Sequence, residues 1–215
     1  IITLLILFIS VTTFSQNKPF WDEIRAFQIQ DSLQKPKDGM LLFIGSSSFR
    51  LWKSVKEDFN NPNILNRAFG GATLDDVIRY QQDVVLKYKP KKIFLYCGEN
   101  DIASSEKVTP EIVFERFKTL YETMRTQFPN TSIVFVSIKP SILRWSMKNR
   151  MMSANTLIRN YIKGKPNAVF VTIWDKMLKD GEPMKDIFIE DNLHMNAKGY
   201  AIWTKEINDL VNYNK

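Results

Sequence analysis

Short apolar runs alternate with longer amphipathic stretches along most of the chain. Five runs, MLLFIG (40–45), ILNRAFG (64–70), KIFLYCG (92–98), SIVFVSI (132–138) and AVFVTI (168–173), are mostly β-branched or aromatic and bounded by Gly, Pro, Asn or Lys. Compact runs of this kind predict strands buried on both faces of a parallel sheet. Residues 20–34 place Phe20, Ile24, Phe27 and Leu33 at roughly helical spacing. A second helix is expected over 74–86, with Thr73 as N-cap and Asp75 and Asp76 in the first turn, where the helix dipole favours acids. Thr109 caps a third, with Pro110 at its first position, running to about Gln127. Stretches 148–163 and 196–212 complete the set. Such alternation implies right-handed βαβ crossovers and an α/β fold of three layers, a five-stranded parallel sheet between helices. In such sheets ligands bind in loops beyond the carboxyl ends of the strands.

The first seventeen residues carry no charge, and their apolar part reads IITLLILFISV, about half of the ~20 apolar residues that a spanning helix needs. Thr13 and Ser15 put small residues at −3 and −1 of a cut before Gln16. Residues 1–15 therefore read as a signal peptide truncated at its start, which implies export to the periplasm or beyond and no stable membrane insertion after cleavage. An uncleaved membrane anchor is the alternative. After it come a helix and lead-in over 16–39 and one domain over 40–215. No repeat, low-complexity tract or Pro/Gly/Ser-rich linker divides the mature chain.

Composition narrows the chemistry. The 215 residues, 44% hydrophobic and 25% charged, suit one globular domain and exclude a disordered or collagen-like chain. A single Cys cannot form an internal disulfide, and one Cys with one His leaves too few soft ligands for a structural zinc site. Cys97 falls inside an apolar run and reads as a buried strand residue. The net charge of +7 allows attraction to anionic polymers, but the basic residues are scattered and no nucleic-acid motif is present. Imidazole acid–base chemistry can come only from His194.

The strand ends carry the candidate residues. The first run ends in Gly45-Ser46-Ser47-Ser48-Phe49, a turn that either presents a hydroxyl at the sheet edge or is simply a Ser-rich or phosphate-binding loop. It is neither a G-x-S-x-G elbow nor a Walker loop. The second ends in Gly70-Gly71, where the backbone can approach a ligand closely. The third ends in Gly98-Glu99-Asn100-Asp101, with a side-chain amide at Asn100. Before the last helix lies Asp191-Asn192-Leu193-His194. A carboxylate three residues before an imidazole can accept its Nδ1–H, which fixes the tautomer and leaves Nε2 free as a base.

Together these four segments resemble the SGNH hydrolases, also called GDSL-type esterases and lipases, over essentially all of 40–212. In general look the chain is similar to the branch of platelet-activating-factor acetylhydrolase-like and carbohydrate acetylesterase proteins. The Gly-Asp-Ser block is matched by Gly45-Ser46-Ser47, with Ser46 in place of Asp; the glycine block falls on Gly71. Gly98-Glu99-Asn100-Asp101 and Asp191-x-x-His194 match in full. The resemblance implies a flavodoxin-like SGNH fold and a serine esterase that works without a cofactor or metal. It implies catalytic Ser47, Asp191 and His194, and an oxyanion hole from the Ser47 and Gly71 backbone N–H groups and the Asn100 amide. It also implies a small-molecule or glycan ester substrate, most simply an acetyl ester on carbohydrate; a lipase or thioesterase is the alternative. Phe49, Trp52, Arg67, Trp145 and Met195 are candidate substrate-pocket walls, most being close in sequence to these blocks. From another class, a non-catalytic basic module binding anionic envelope glycans would suit the net charge, but it has no use for the four-residue set. Oligomeric state is not legible.

Overall fold

The computed structural model describes residues 18–212; the expected signal segment 1–15 lies outside them. Helix α1 (Trp21–Leu33) leads into β1 (Leu41–Gly45), the short helices α2 (Ser47–Arg50) and α3 (Val55–Asp58), and β2 (Ile64–Asn66). Then come α4 (Leu74–Arg79), β3 (Lys92–Tyr96), α5 (Glu99–Ser104), α6 (Pro110–Gln127), β4 (Ser132–Val136), α7 (Lys148–Ile162) and β5 (Ala168–Val171). A small hairpin, β6 (Leu178–Lys179) and β7 (Glu182–Pro183), precedes α8 (Ala197–Asn212).

The five longer-range strands form one parallel sheet in the order β2-β1-β3-β4-β5. This is the order of a flavodoxin-like sheet. Side chains alternate across it into two cores. Leu42, Ile44, Ile93, Leu95, Ile133 and Phe135 pack under α1, α4, α6 and α7; Leu41, Phe43, Phe94, Tyr96, Val134 and Val136 pack under α2, α3 and α8. Apolar residues on both faces are what made the strands read as continuous runs. No described helix is long and apolar enough to cross a membrane.

Two expected elements differ. The helix expected over 74–86 ends at Arg79, and the chain widens into a π turn over Gln82–Leu86. Adjacent Val84 and Val85 are both fully buried there, and the wider turn turns both toward the core. The second strand stops at Asn66, although Arg67 and Phe69 still donate to the β1 carbonyls of Phe43 and Gly45 at 2.8 and 3.1 Å; the Asn66 Oδ1 accepts the Ala68 N–H at 3.0 Å and its Nδ2 donates to the Phe49 carbonyl at 2.7 Å. The expected caps are present. The Thr73 Oγ1 accepts the Asp76 N–H at 3.3 Å while Asp76 accepts the Thr73 N–H at 3.0 Å, a capping box.

The edge near β2 is closed by α1. Arg67, 5% exposed, bonds Asp31 of α1 and donates to Tyr88 Oη at 2.8 Å, and Tyr88 donates to Asp31 at 2.6 Å. Arg67 is thus a strut that docks α1, a correction to its expected place in a substrate pocket. A long cation covers apolar surface with its stem while its head needs a partner, and Asp31 supplies one below the surface.

Candidate active site

Each candidate residue sits where a strand ends. At Gly45 the backbone has φ +122°, and a Cβ there would lie 1.9 Å from the Tyr96 carbonyl oxygen. Only glycine allows β1 and β3 to close up at this point. The next residue, Ser46, is 2% exposed and donates its N–H to that same carbonyl at 2.9 Å. Ser47 then opens α2 with its hydroxyl toward the sheet's carboxyl edge.

Ser47 Oγ lies 2.9 Å from His194 Nε2, and His194 Nδ1 lies 2.5 Å from Asp191 Oδ2. The other Asp191 oxygen accepts the N–H groups of Leu193 at 2.9 Å and His194 at 2.8 Å. The carboxylate thus grips both the ring and the backbone that carries it. Burial pulls the Asp191 pKa upward, but the bonds from His194 and Leu193 outweigh it and hold the carboxyl below its ordinary range. An ionised carboxylate on Nδ1 keeps the proton there and leaves Nε2 facing the serine as an acceptor.

Across the serine, the Asn100 amide donates to Ser46 Oγ at 2.7 Å and to the Ala72 carbonyl at 3.0 Å. The Ser46 that departs from the usual Asp therefore orients the amide. Gly71 has φ +73°, a left-handed turn that glycine adopts without strain. Neither its N–H nor that of Ser47 donates to a protein acceptor among the described residues. Glu23 of α1 accepts the Gly70 N–H at 3.1 Å and pairs with Arg50 of α2, which pins the glycine turn from outside.

The residues flanking Asn100 are also engaged. Asp101 accepts the Leu74 N–H at 2.9 Å and pairs with Arg116 at 2.9 Å; burial pushes its pKa up against these bonds. Glu99, 4% exposed, accepts Tyr96 Oη at 2.6 Å and Ser141 Oγ at 3.2 Å and faces Lys139 at 3.1 Å. Burial opposes the charge on both partners. The Glu99 carboxyl nonetheless stays below its ordinary range through Lys139 and Arg144, whereas burial carries the Lys139 ammonium pKa down against the pull of Glu99.

The structure thus brings Ser47, Gly71, Asn100, Asp191 and His194 to one edge of the sheet. Most expected pocket walls are not there. Phe49 is fully buried and Trp52 is 1% exposed, in an aromatic cluster with Phe43 and Trp203. Met195, 4% exposed, packs into the same core and pairs by backbone with Phe188. These three are core residues because the turn after Ser47 and the turn after His194 both dive into the interior. Trp145 stays partly exposed, stacked on Trp174 at 6.0 Å with Lys148 over its ring at 4.3 Å. The sequence reading missed Lys139 and gave Glu99 no role; a lysine closing an otherwise apolar strand run, SIVFVSIKP, is the signal that could have found it.

Comparison with known proteins agrees with the fold. The GDSL-like lipase/acylhydrolase family matches residues 44–202. Similar solved structures include a Streptococcus pneumoniae protein provisionally described as a platelet activating factor (19% identity, 88% of this chain and 91% of that one, TM-score 0.77). A GDSL-like lipase from Bacteroides thetaiotaomicron shares 17% identity over 87% of this chain and 96% of its own, with TM-score 0.73. An acetyl-xylooligosaccharide esterase variant from Geobacillus shares 15% over 84% and 97%, with TM-score 0.66. No curated protein matches the sequence. The family match spans well over half of the chain, which therefore belongs to the GDSL-like lipase/acylhydrolase family.

Proposed function

We propose that this member of the GDSL-like lipase/acylhydrolase family hydrolyses small acyl esters, acetyl above all, on a carbohydrate alcohol, through an acyl-serine intermediate on Ser47. The observation that carries this is the relay from Ser47 Oγ to His194 Nε2 at 2.9 Å and from His194 Nδ1 to Asp191 at 2.5 Å. In the first half-reaction His194 takes the Ser47 proton as the oxygen adds to the ester carbonyl. The carbonyl electron pair moves onto its oxygen, and its return expels the alcohol, which His194 protonates. In the second, His194 deprotonates water, which attacks the acyl-serine and releases the acid and free Ser47. The oxyanion is met by the unpartnered Ser47 and Gly71 N–H groups. The Asn100 amide joins them by yielding the bond it now gives Ser46.

The choice of acetyl and carbohydrate is supported by the fold shared with an acetyl-xylooligosaccharide esterase. Export, with residues 1–15 as signal peptide, fits a protein that acts on polymers outside the cytoplasm. The test is hydrolysis of p-nitrophenyl acetate, butyrate and octanoate by the purified protein beside Ser47→Ala. Turnover that vanishes in the variant and falls with acyl length is expected. Equal rates in the two proteins would overturn the serine mechanism, and salt-sensitive binding of anionic glycans by both would put a binding module in its place.

A further inference from the structure

A buried ion pair lies beside the proposed machinery and takes no part in the reaction scheme. Lys139 follows β4 and is wholly buried; Glu99 opens α5 and is 4% exposed. Lys139 Nζ faces Glu99 at 3.1 Å and also donates to the Leu193 carbonyl at 2.8 Å. Leu193 directly precedes His194, and Glu99 directly precedes Asn100. The pair therefore links the backbone carrying the base to the backbone carrying the amide donor.

Two charges taken out of water are in general no more stabilising than a well-packed apolar pair of similar size. An apolar pair, however, cannot donate to a carbonyl at a fixed point. The loop that receives this bond needs one. The Asp191 side chain is 40% exposed and Asn192 has φ +58°. The loop is also tied to its surroundings by backbone bonds, among them Leu143 N–H to the Asn192 carbonyl at 3.0 Å and Ile189 N–H to the His194 carbonyl at 2.9 Å. Lys139 holds the loop from inside, and its own head is held by Glu99, which Tyr96, Ser141 and Arg144 fix in turn.

We propose that Lys139 and Glu99 are a positioning pair that holds His194 at hydrogen-bond distance from Ser47 and in register with Asn100. This rests on the reading of Ser47 and His194 as the reacting residues, and the test separates the two. His194 is the only histidine in the sequence, so its ring resonances in a histidine-labelled sample need no assignment. The Nδ1 proton bound to Asp191 is expected as a slowly exchanging downfield signal. In Lys139→Met that signal broadens or disappears, and kcat on p-nitrophenyl acetate falls about tenfold or more with KM within about twofold, the split that marks loss of an arrangement rather than of substrate binding. Should Lys139→Met fail to fold, Glu99→Gln/Lys139→Met removes both buried charges and carries the same expectation. Met124→Ala, a truncation in the core under α6, lowers Tm and leaves the histidine signals as they were.

Unchanged histidine signals in a folded variant overturn the positioning role, whatever the rate. If the wild type turns over none of the esters while the variant's histidine signals still change, the hydrolase reading falls and the positioning role stands.

Discussion

Asn100→Ala separates the tethering role of one amide from the catalytic role proposed for it. In the resting protein the amide is a tether, donating to Ser46 Oγ and the Ala72 carbonyl at 2.7 and 3.0 Å. Removing it leaves a buried carbonyl short of a donor, at a cost of about 1–3 kcal/mol in stability. On the proposed mechanism the same amide meets the oxyanion during turnover, and loss of one such donor costs about 2.7–4 kcal/mol, or roughly 10²–10³ in kcat. The catalytic loss is thus the larger, and it appears under conditions where the variant is still folded. Asn100→Asp sharpens the comparison: it keeps the shape but turns a carboxylate toward the Ala72 carbonyl and toward the developing negative charge, so its kcat falls below that of the alanine variant. The assay is steady-state hydrolysis of p-nitrophenyl acetate beside urea unfolding of each protein. A folded Asn100→Ala whose kcat stays within about threefold of wild type would refute the donor role. The amide would then be a tether only, leaving the oxyanion to the two backbone N–H groups.

Two further outcomes follow from the buried polar groups. Arg67→Ala removes one of two cations paired with Asp31 and leaves Lys87 at 2.7 Å, so urea unfolding shifts by less than the about 3–5 kcal/mol of a fully broken buried pair while KM is unchanged; a raised KM at unchanged stability would return Arg67 to the substrate pocket. Asp191 titrates below its ordinary value of 3.8, so its contribution to stability is present above that value and is lost only as pH falls through the lower folded-state value. Urea unfolding of wild type beside Asp191→Asn across acid pH checks this, and a loss of stability above about pH 4 that the variant lacks would contradict the Asp191 geometry.

The fold was legible because local and tertiary signals agree. The strands are apolar on both faces, so no register question hid them, and Thr73, Thr109 and Pro110 cap the helices that they announce. The break after Arg79 was not legible. It depends on how Val84 and Val85 share one core face, which spacing along the chain does not reveal. Among the site residues, Asp191 and His194 were readable because their bond spans three residues and is written in one loop. Phe49, Trp52 and Met195 were misread as pocket walls for a related reason: closeness in sequence was taken for closeness at the surface. In the turn after Ser47 the side chain of Phe49 points away from that of Ser47, and it fills the core beneath α8.

The third motif shows how far a four-residue pattern can understate what it does. β3 lies between β1 and β4, so residues leaving its carboxyl end can reach the loops on either side. Glu99 reaches toward the β4 side, to Lys139 and through it to Leu193. Asn100 reaches the β1 side, to Ser46 and Ala72. Asp101 turns to the start of α4, where it accepts the Leu74 N–H just past the glycine turn. Three consecutive side chains therefore hold the His194 loop, the Ser47 turn and the turn after Gly71 in one frame. The relative placement of Ser47 and His194, 147 residues apart, is thus a property of this central strand end as much as of either residue's own loop. Substitutions at Glu99 and Asp101 should on this account couple non-additively with substitutions at Asn100, because each shifts the backbone from which the amide is aimed.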